Sequence, residues 1–136
     1  MAIAVRPHHC GISVPDLDAT IAWYHDILGF ELERREHIAP AHADIAFLKL
    51  GDFRLEVFQV ESANPLPADR RMPNQDIRTH GCKHLCFEVE DLGAVVPFLK
   101  EKGVDFAMEH RPQGNGTMAF IRDNSGILIE LLDKFE

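Results

Sequence analysis

The sequence has few cysteines, and their number and spacing exclude the usual cysteine-based architectures. The three cysteines, Cys10, Cys82 and Cys86, are an odd number, and the N-terminus shows no secretory signal. Both features predict reduced thiols rather than a disulfide framework. Cys82 and Cys86 are four positions apart, but no second cysteine pair completes a zinc site. Cys10 and Cys86 lie in apolar strand patterns, so we predict that both are small buried side chains.

The chain also lacks an excess of positive charge and any long apolar run. Its net charge is −8, from 14 Lys and Arg against 22 Asp and Glu, which argues against nucleic acid and anionic membrane surfaces as partners. No apolar run approaches the roughly 20 residues that cross a bilayer. We therefore expect a cytoplasmic protein. With 136 residues and 46% apolar content, the chain is long enough for one domain with a hydrophobic core.

The sequence does contain an internal duplication. A shift of 75 positions aligns four identical pairs: Val14 with Val89, Asp16 with Asp91, Leu17 with Leu92, and Ala19 with Ala94. Each copy begins with a histidine in a strand-like segment and ends with a glutamate in another. His9 and Glu56 are 47 positions apart, and His84 and Glu130 are 46 apart. One histidine and one acid in each copy of a duplicated unit is typical of a metal site, although no local metal motif occurs.

The hydrophobic periodicity predicts the order β-α-β-β-β in each copy, which is an α+β fold of two tandem βαβββ modules. Asp16 is placed to cap the first helix, and Gly29 to end it in a left-handed conformation. We predict module one at about residues 7–60, a proline-containing linker at about 61–80, and module two at about 81–134. The predicted elements are strand 8–14, helix 17–28 and strands 30–36, 44–50 and 53–60, then strand 83–89, helix 92–102 and strands 104–109, 117–122 and 127–132.

Strand alternation predicts where the candidate ligands point. Neighbouring residues of a strand face opposite sides of a sheet, and the helix of each module must cover one apolar face. The two histidines and two glutamates therefore share the other face. That face also carries the side chains that we predict to line a concave substrate pocket, Ser13, Phe58, Glu88 and Leu128. By the same alternation, His8 should point away from His9.

Four segments are similar to the vicinal oxygen chelate superfamily: PHHCGISVPDLDATIAWYHDILGFEL, FRLEVFQV, GCKHLCFEVEDL and RDNSGILIELLD. That superfamily includes glyoxalase I, methylmalonyl-CoA epimerase, extradiol dioxygenases and fosfomycin- and bleomycin-resistance proteins. Asp123, Gly126 and the Ile-Glu-Leu run at 129–131 are among the more specific marks. The resemblance covers about residues 7–134. It implies paired modules that form a cupped mixed sheet around one divalent metal, with the ligands His9, Glu56, His84 and Glu130.

The resemblance also implies a chemistry. It suggests a metal-dependent isomerase or epimerase that removes a proton next to a carbonyl, with a metal-bound enolate intermediate. Two histidines and two carboxylates suit Ni²⁺, Co²⁺, Mn²⁺, Fe²⁺ or Zn²⁺. The substrate would be a small molecule with oxygens on adjacent carbons. Glu130 would leave the metal to act as base, or would remain a permanent ligand. Asp44 is a further candidate acid or base, with an exposed strand-end aspartate as the alternative.

Other branches of the superfamily give the alternative functions. A glyoxalase I-type lactoylglutathione lyase shares the four-ligand set, but Ser13 and Val60 stand where that branch has an arginine and an asparagine for glutathione. A ring-cleaving dioxygenase would use two histidines and one glutamate. A non-catalytic binding protein commonly loses the ligands. We also expect a homodimer, because Trp23 and Tyr24 are adjacent and cannot both face the same sheet.

Overall fold

The computed structural model describes residues 1–134, and the chain divides into two compact units, Met1–Asn64 and Pro65–Glu136. Each unit has the predicted βαβββ order, which confirms the α+β fold class. The first unit contains β1 (His9–Ser13), α1 (Leu17–Leu28), β2 (Glu31–Ile38), a 3₁₀ turn (Ala39–Ala41), β3 (Ala43–Leu50) and β4 (Phe53–Val60). The second contains a 3₁₀ turn (Ala68–Arg71), α2 (Pro73–Asp76), β5 (Leu85–Glu88), α3 (Leu92–Glu101), β6 (Asp105–Gln113), β7 (Gly116–Arg122) and β8 (Leu128–Asp133).

The sheet of the first unit has the strand order β1-β4-β3-β2. β1 runs parallel to β4, and the other neighbours are antiparallel. The Asp16 carboxylate accepts a hydrogen bond from the Ala19 N–H at 3.0 Å and starts α1, and Gly29 ends it at φ 77°. The helix covers one face of the sheet, where Leu17 and Tyr24 are buried. The candidate ligands of this unit, His9 and Glu56, lie on the opposite face.

The second unit repeats this arrangement, with the strand order β5-β8-β7-β6 and a parallel β5–β8 pair. Asp91 caps α3 as Asp16 caps α1. No helix within residues 1–134 has the length and apolar character needed to span a membrane.

In both units the last strand holds the start of the helix. The Leu17 N–H donates to Gln59 Oε1 at 2.6 Å, and the Leu92 N–H donates to Asp133 Oδ2 at 2.9 Å. Asp133 is 4% exposed and also accepts from the hydroxyl and the N–H of Thr117. The hydrogen bond from the Thr117 hydroxyl, followed by that from Leu92, lowers the pKa of the Asp133 carboxyl. The repeated bond fixes the helix over the same face of each sheet.

The segment predicted as a linker has structure of its own. It contains the Ala68–Arg71 turn and α2, which are too short to give a periodic pattern in the sequence. Asp76 is 1% exposed and forms ion pairs with Arg70 Nε at 2.7 Å and Lys83 Nζ at 3.1 Å. A buried carboxylate with two cationic partners resists separation from them. This cluster therefore holds the segment to the residue that precedes His84.

Candidate metal centre

The first unit brings His9 and Glu56 together. His9 begins β1 and Glu56 lies in the middle of β4, in register with Gly11. Because His9 is two positions from Gly11, its side chain leaves the sheet on the face that carries the Glu56 side chain. His9 Nε2 lies 3.6 Å from Glu56 Oε1, with the two side chains 36% and 23% exposed. The sequence predicted this shared face from alternation alone.

The second unit repeats the pair. His84 immediately precedes β5, and Glu130 lies in β8 in register with Cys86. His84 Nε2 lies 3.4 Å from Glu130 Oε1, with the side chains 26% and 16% exposed. The matched His–Glu spacing in the sequence thus corresponds to two equivalent pairs, one in each unit.

An aromatic ring supports each histidine. The Phe47 ring lies edge-to-face with His9 at a centroid distance of 5.5 Å, and Phe120 lies in the same way against His84 at 4.8 Å. Phe47 is in register with Glu56, and Phe120 with Glu130. Such contacts restrict the orientation of the imidazole ring. The sequence interpretation missed both residues, although an Ala-Phe pair precedes the glutamate in each copy, at positions 46–47 and 119–120.

The pair geometry fits divalent metal coordination. Two donor atoms that each lie about 2.1 Å from a tetrahedral ion are about 3.4 Å apart. The observed separations of 3.6 Å and 3.4 Å match that value and exceed the usual hydrogen-bond length. Each pair offers one imidazole nitrogen and a carboxylate, a donor set that suits first-row ions. Within residues 1–134, His, Cys, Asp and Glu form no group of three or more that could hold a metal ion. One pair alone therefore supplies too few ligands for a complete site.

Comparison with known proteins identifies the family. The family model described as the Glyoxalase/Bleomycin resistance protein/Dioxygenase superfamily matches residues 6–131. The chain belongs to this superfamily. This confirms the resemblance that the four sequence segments indicated. The match spans both units and includes all four candidate ligands.

The relatives include proteins named as methylmalonyl-CoA epimerases and proteins named as lactoylglutathione lyases. The mitochondrial methylmalonyl-CoA epimerase of Homo sapiens is 29% identical over 132 residues, which cover 93% of this chain and 72% of that protein. A probable lactoylglutathione lyase of Synechocystis sp. is 30% identical over 126 residues, which cover 91% and 92%. Among solved structures, a glyoxalase family protein from Enterococcus faecalis has a TM-score of 0.80 at 29% identity and covers 94% of this chain and 97% of its own.

His8 is placed differently from the prediction. Its Nδ1 lies 2.7 Å from His9 Nδ1, and the two rings are in edge contact at 5.0 Å. β1 begins at His9, so strand alternation does not govern His8. In an N–H···N hydrogen bond one ring donates and the other accepts. When His9 is the donor, its Nε2 carries no proton and can bind a metal.

The prediction that Cys86 is buried is wrong, and Cys10 is only half-buried. Cys86 is exposed because it belongs to the Glu130 face and not to the face covered by α3. Partial desolvation of its thiol, followed by the charge and hydrogen bonding of Glu130 and then by Glu88, raises the pKa of Cys86 to about 12. At neutral pH the thiol is therefore protonated and can donate to the Glu130 carboxylate.

The predicted pocket residues are placed unequally. Ser13 and Phe58 are in register beside the His9–Glu56 pair, and Glu88 is exposed on the same face as Cys86. Leu128 is 1% exposed and packs in an apolar cluster with Met118 and Phe120. It packs with the Phe120 ring in this cluster, and its place in the wall of a concave pocket stays a prediction.

Asp44 lies on the other face of its sheet. Asp44 is in register with Gln59, whereas Phe47, three positions further along β3, is in register with Glu56. Residues three apart on a strand face opposite sides. The Asp44 carboxylate is paired with His37 Nδ1 at 2.8 Å. The register thus separates Asp44 from the His9–Glu56 pair.

Proposed function

We propose that this chain is a metal-dependent isomerase or epimerase that removes and returns a proton on the carbon next to a carbonyl group. The observation that carries the proposal is the repeated His–Glu pair, each with donor atoms at metal-ligand separation and each supported by a phenylalanine. Relatives named as methylmalonyl-CoA epimerases support this branch, including a bacterial ethylmalonyl-CoA/methylmalonyl-CoA epimerase of Cereibacter sphaeroides at 28% identity.

His9, Glu56, His84 and Glu130 together would hold one divalent ion. Each pair supplies two ligands, so a complete site needs both units, either from one chain or from two copies. Two carboxylates balance the charge of the ion. The ion, when bound, would polarise the substrate carbonyl as a Lewis acid.

Glu130 is the proposed base. Its side chain is 16% exposed, so its carboxylate faces less competing water than a surface group does. The protonated Cys86 thiol beside it would orient the carboxylate toward the substrate. Phe120 and Met118 of the adjoining apolar cluster would exclude water from one side of the carboxylate. Glu56 occupies the matching position in the first unit and is the candidate to return the proton, since Asp44 lies on the other face of its sheet.

Substrate choice tests the proposal against the lactoylglutathione lyase alternative, which the Synechocystis relative favours. We expect metal-loaded protein to exchange the α-proton of an acyl-thioester in D₂O. Methylglyoxal–glutathione adduct should be a poor substrate, because Ser13 and Val60 supply no charged group for glutathione. A kcat/KM for the glutathione adduct within the usual range of about 10⁴–10⁸ M⁻¹s⁻¹ would reverse this order.

The metal assignment predicts an effect of His8 on metal affinity. Outer-shell partners of ligating histidines typically change metal affinity about 10- to 100-fold when they are replaced. His8→Gln removes the ring nitrogen that lies 2.7 Å from His9 Nδ1, so we expect weaker binding within that range. Competition with a chelator measures it, and His42→Gln, an exposed histidine beside Glu61, is the matched control. Equal affinity in wild type and the His8 variant would show that His8 does not orient His9.

We also propose a two-fold homodimer. In α1 the Tyr24 side chain is fully buried whereas Trp23 is only half-buried, as expected for adjacent residues. Trp23 is therefore available for a subunit contact. Light scattering at micromolar concentration should give about twice the monomer mass of 15.4 kDa for the metal-loaded protein. A species of monomer mass under these conditions would contradict the dimer.

A further inference from the structure

Each sheet carries a row of four residues that lie directly opposite one another across its strands. We call these the cross-sheet rows. We call each His–Glu pair with its phenylalanine a half-site, that is, His9, Glu56 and Phe47 in the first unit and His84, Glu130 and Phe120 in the second. Each row includes the glutamate and the phenylalanine of one half-site. The row of the first unit is Arg34, Phe47, Glu56 and Gly11. The row of the second unit is Met108, Phe120, Glu130 and Cys86.

The outer strands β2 and β6 each have a register shift just before the residue that belongs to the row. In β2 the shift lies between Leu32 and Arg34, and in β6 it lies between Phe106 and Met108. Bulges of this kind re-aim the side chain that follows them. Arg34 and Met108 are therefore equivalent positions. The first unit has a cation where the second has an apolar thioether.

The Arg34 guanidinium lies over an aromatic ring and is largely exposed. Its Cζ lies 4.7 Å from the centroid of the Phe47 ring, which in turn contacts His9. Its side chain is 62% exposed, and its ion pair with Glu36 is long, at 3.6 Å. A guanidinium in a cation–π contact keeps its N–H groups available for acceptors in its own plane.

Two other arginines of the same sheet are already committed to carboxylates. Arg35 faces the helix side, where its Nη1 donates to Asp18 Oδ1 at 2.6 Å. Arg54 binds Glu33 through two hydrogen bonds, at 3.0 Å and 3.2 Å. Of these three guanidinium groups, Arg34 has the longest separation from an acidic partner.

We propose that Arg34 is an anion subsite that binds a carboxylate of the substrate at a distance from its reacting carbon. β2 and β4 are separated by two strand spacings, about 9.5 Å at the backbone, but the Arg34 guanidinium lies over the Phe47 ring of β3, between these two strands. A carboxylate on Arg34 would therefore lie several bonds from a carbonyl group at the His9–Glu56 pair. The planar guanidinium suits bidentate binding of such a group. The inference rests on the proposed function for the reacting end, and it selects acyl substrates that carry a second, charged end.

Binding of two small probes to metal-loaded protein tests this subsite. Glutarate has two carboxylates, and butyrate has one on a chain one carbon shorter. Wild type should prefer glutarate. Arg34→Met, which installs the side chain of the second unit's row, should reduce the glutarate-to-butyrate affinity ratio by about 10- to 100-fold, the range of a charge-assisted hydrogen-bond pair. Arg35→Met, on the opposite face, is the matched control and should leave the ratio unchanged.

The outcomes separate this inference from the proposed function. An equal ratio in wild type and Arg34→Met overturns the subsite, whatever the protein catalyses. An Arg34-dependent preference for glutarate together with no α-proton exchange on any acyl-thioester supports the subsite and overturns the proposed function. Arg34→Lys should restore part of the preference, because it keeps the charge but not the bidentate fork.

Discussion

Replacing Glu130 with glutamine should reduce α-proton exchange at least about 10²-fold, the range that loss of a general base gives. Glutamine keeps the size of the side chain but removes its charge and basicity. The fold should survive, because the flanking Ile129 and Leu131 are 0% and 1% exposed on the other face of β8 and remain unchanged. Exchange of the substrate α-proton in D₂O is the measurement, and the metal content of the variant separates loss of the base from loss of a ligand.

Glu101→Gln is the matched control. Glu101 is exposed at the end of α3, the helix that covers the face of the sheet opposite to Glu130. We expect nearly normal exchange in this variant. A Glu130→Gln protein that exchanges the proton at the wild-type rate would rule out Glu130 as the base.

Removing either histidine should abolish stoichiometric metal binding. His9→Ala and His84→Ala each leave three of the four proposed ligands, with a single carboxylate from the altered unit. Because the altered unit loses its nitrogen donor and keeps only a carboxylate, the remaining site should bind metal far more weakly, and the metal content after desalting should fall below about a tenth of wild type. Elemental analysis measures this.

His37→Ala is the control for these two variants, because His37 is exposed and paired with Asp44, away from Glu56. Its metal content should match wild type. If the His9 variant keeps full metal content while the His84 variant loses it, the ion is held by the second unit alone, and the role assigned to the His9–Glu56 pair is wrong.

The sequence predicted the parts of the site that depend on period-two alternation. His9 and Glu56 lie in strands of the first sheet, and their shared face of that sheet follows from counting residues. The face of Glu130 in the second sheet follows from the same counting. The pairing of His84 with Glu130 follows from the duplication, although His84 itself lies just before β5. Strand alternation is a local pattern and the duplication is a repeated one, so both can be recognised in a single sequence.

The features that prediction missed depend on contacts between strands. Phe47 and Phe120 enter the half-sites through the antiparallel register of β3 with β4 and of β7 with β8, which spacing along the chain does not show. His8 contacts His9 because the strand begins one residue later than predicted. Cys86 was interpreted from the apolar residues around it, whereas its alternation with Phe87 places it on the Glu130 face.

The structured segment between the units was missed for a different reason. Its helices are short and are held by the buried ion cluster of Asp76 with Arg70 and Lys83, so they leave no hydrophobic period in the sequence. The equivalence of Arg34 and Met108 was missed as well, because it depends on the bulges in β2 and β6 that place each residue in its cross-sheet row.

The central claim is that both His–Glu pairs hold one ion, and anomalous diffraction from crystals of metal-loaded protein tests it most directly. We predict one strong anomalous peak for every two His–Glu pairs. The donor atoms of His9, Glu56, His84 and Glu130 should each lie at about 2.0–2.3 Å from it. These ligands would come from one chain or from two copies in a dimer. A peak bound by one pair alone, with the other pair more than about 8 Å away and thus beyond any ligand geometry, would contradict the account.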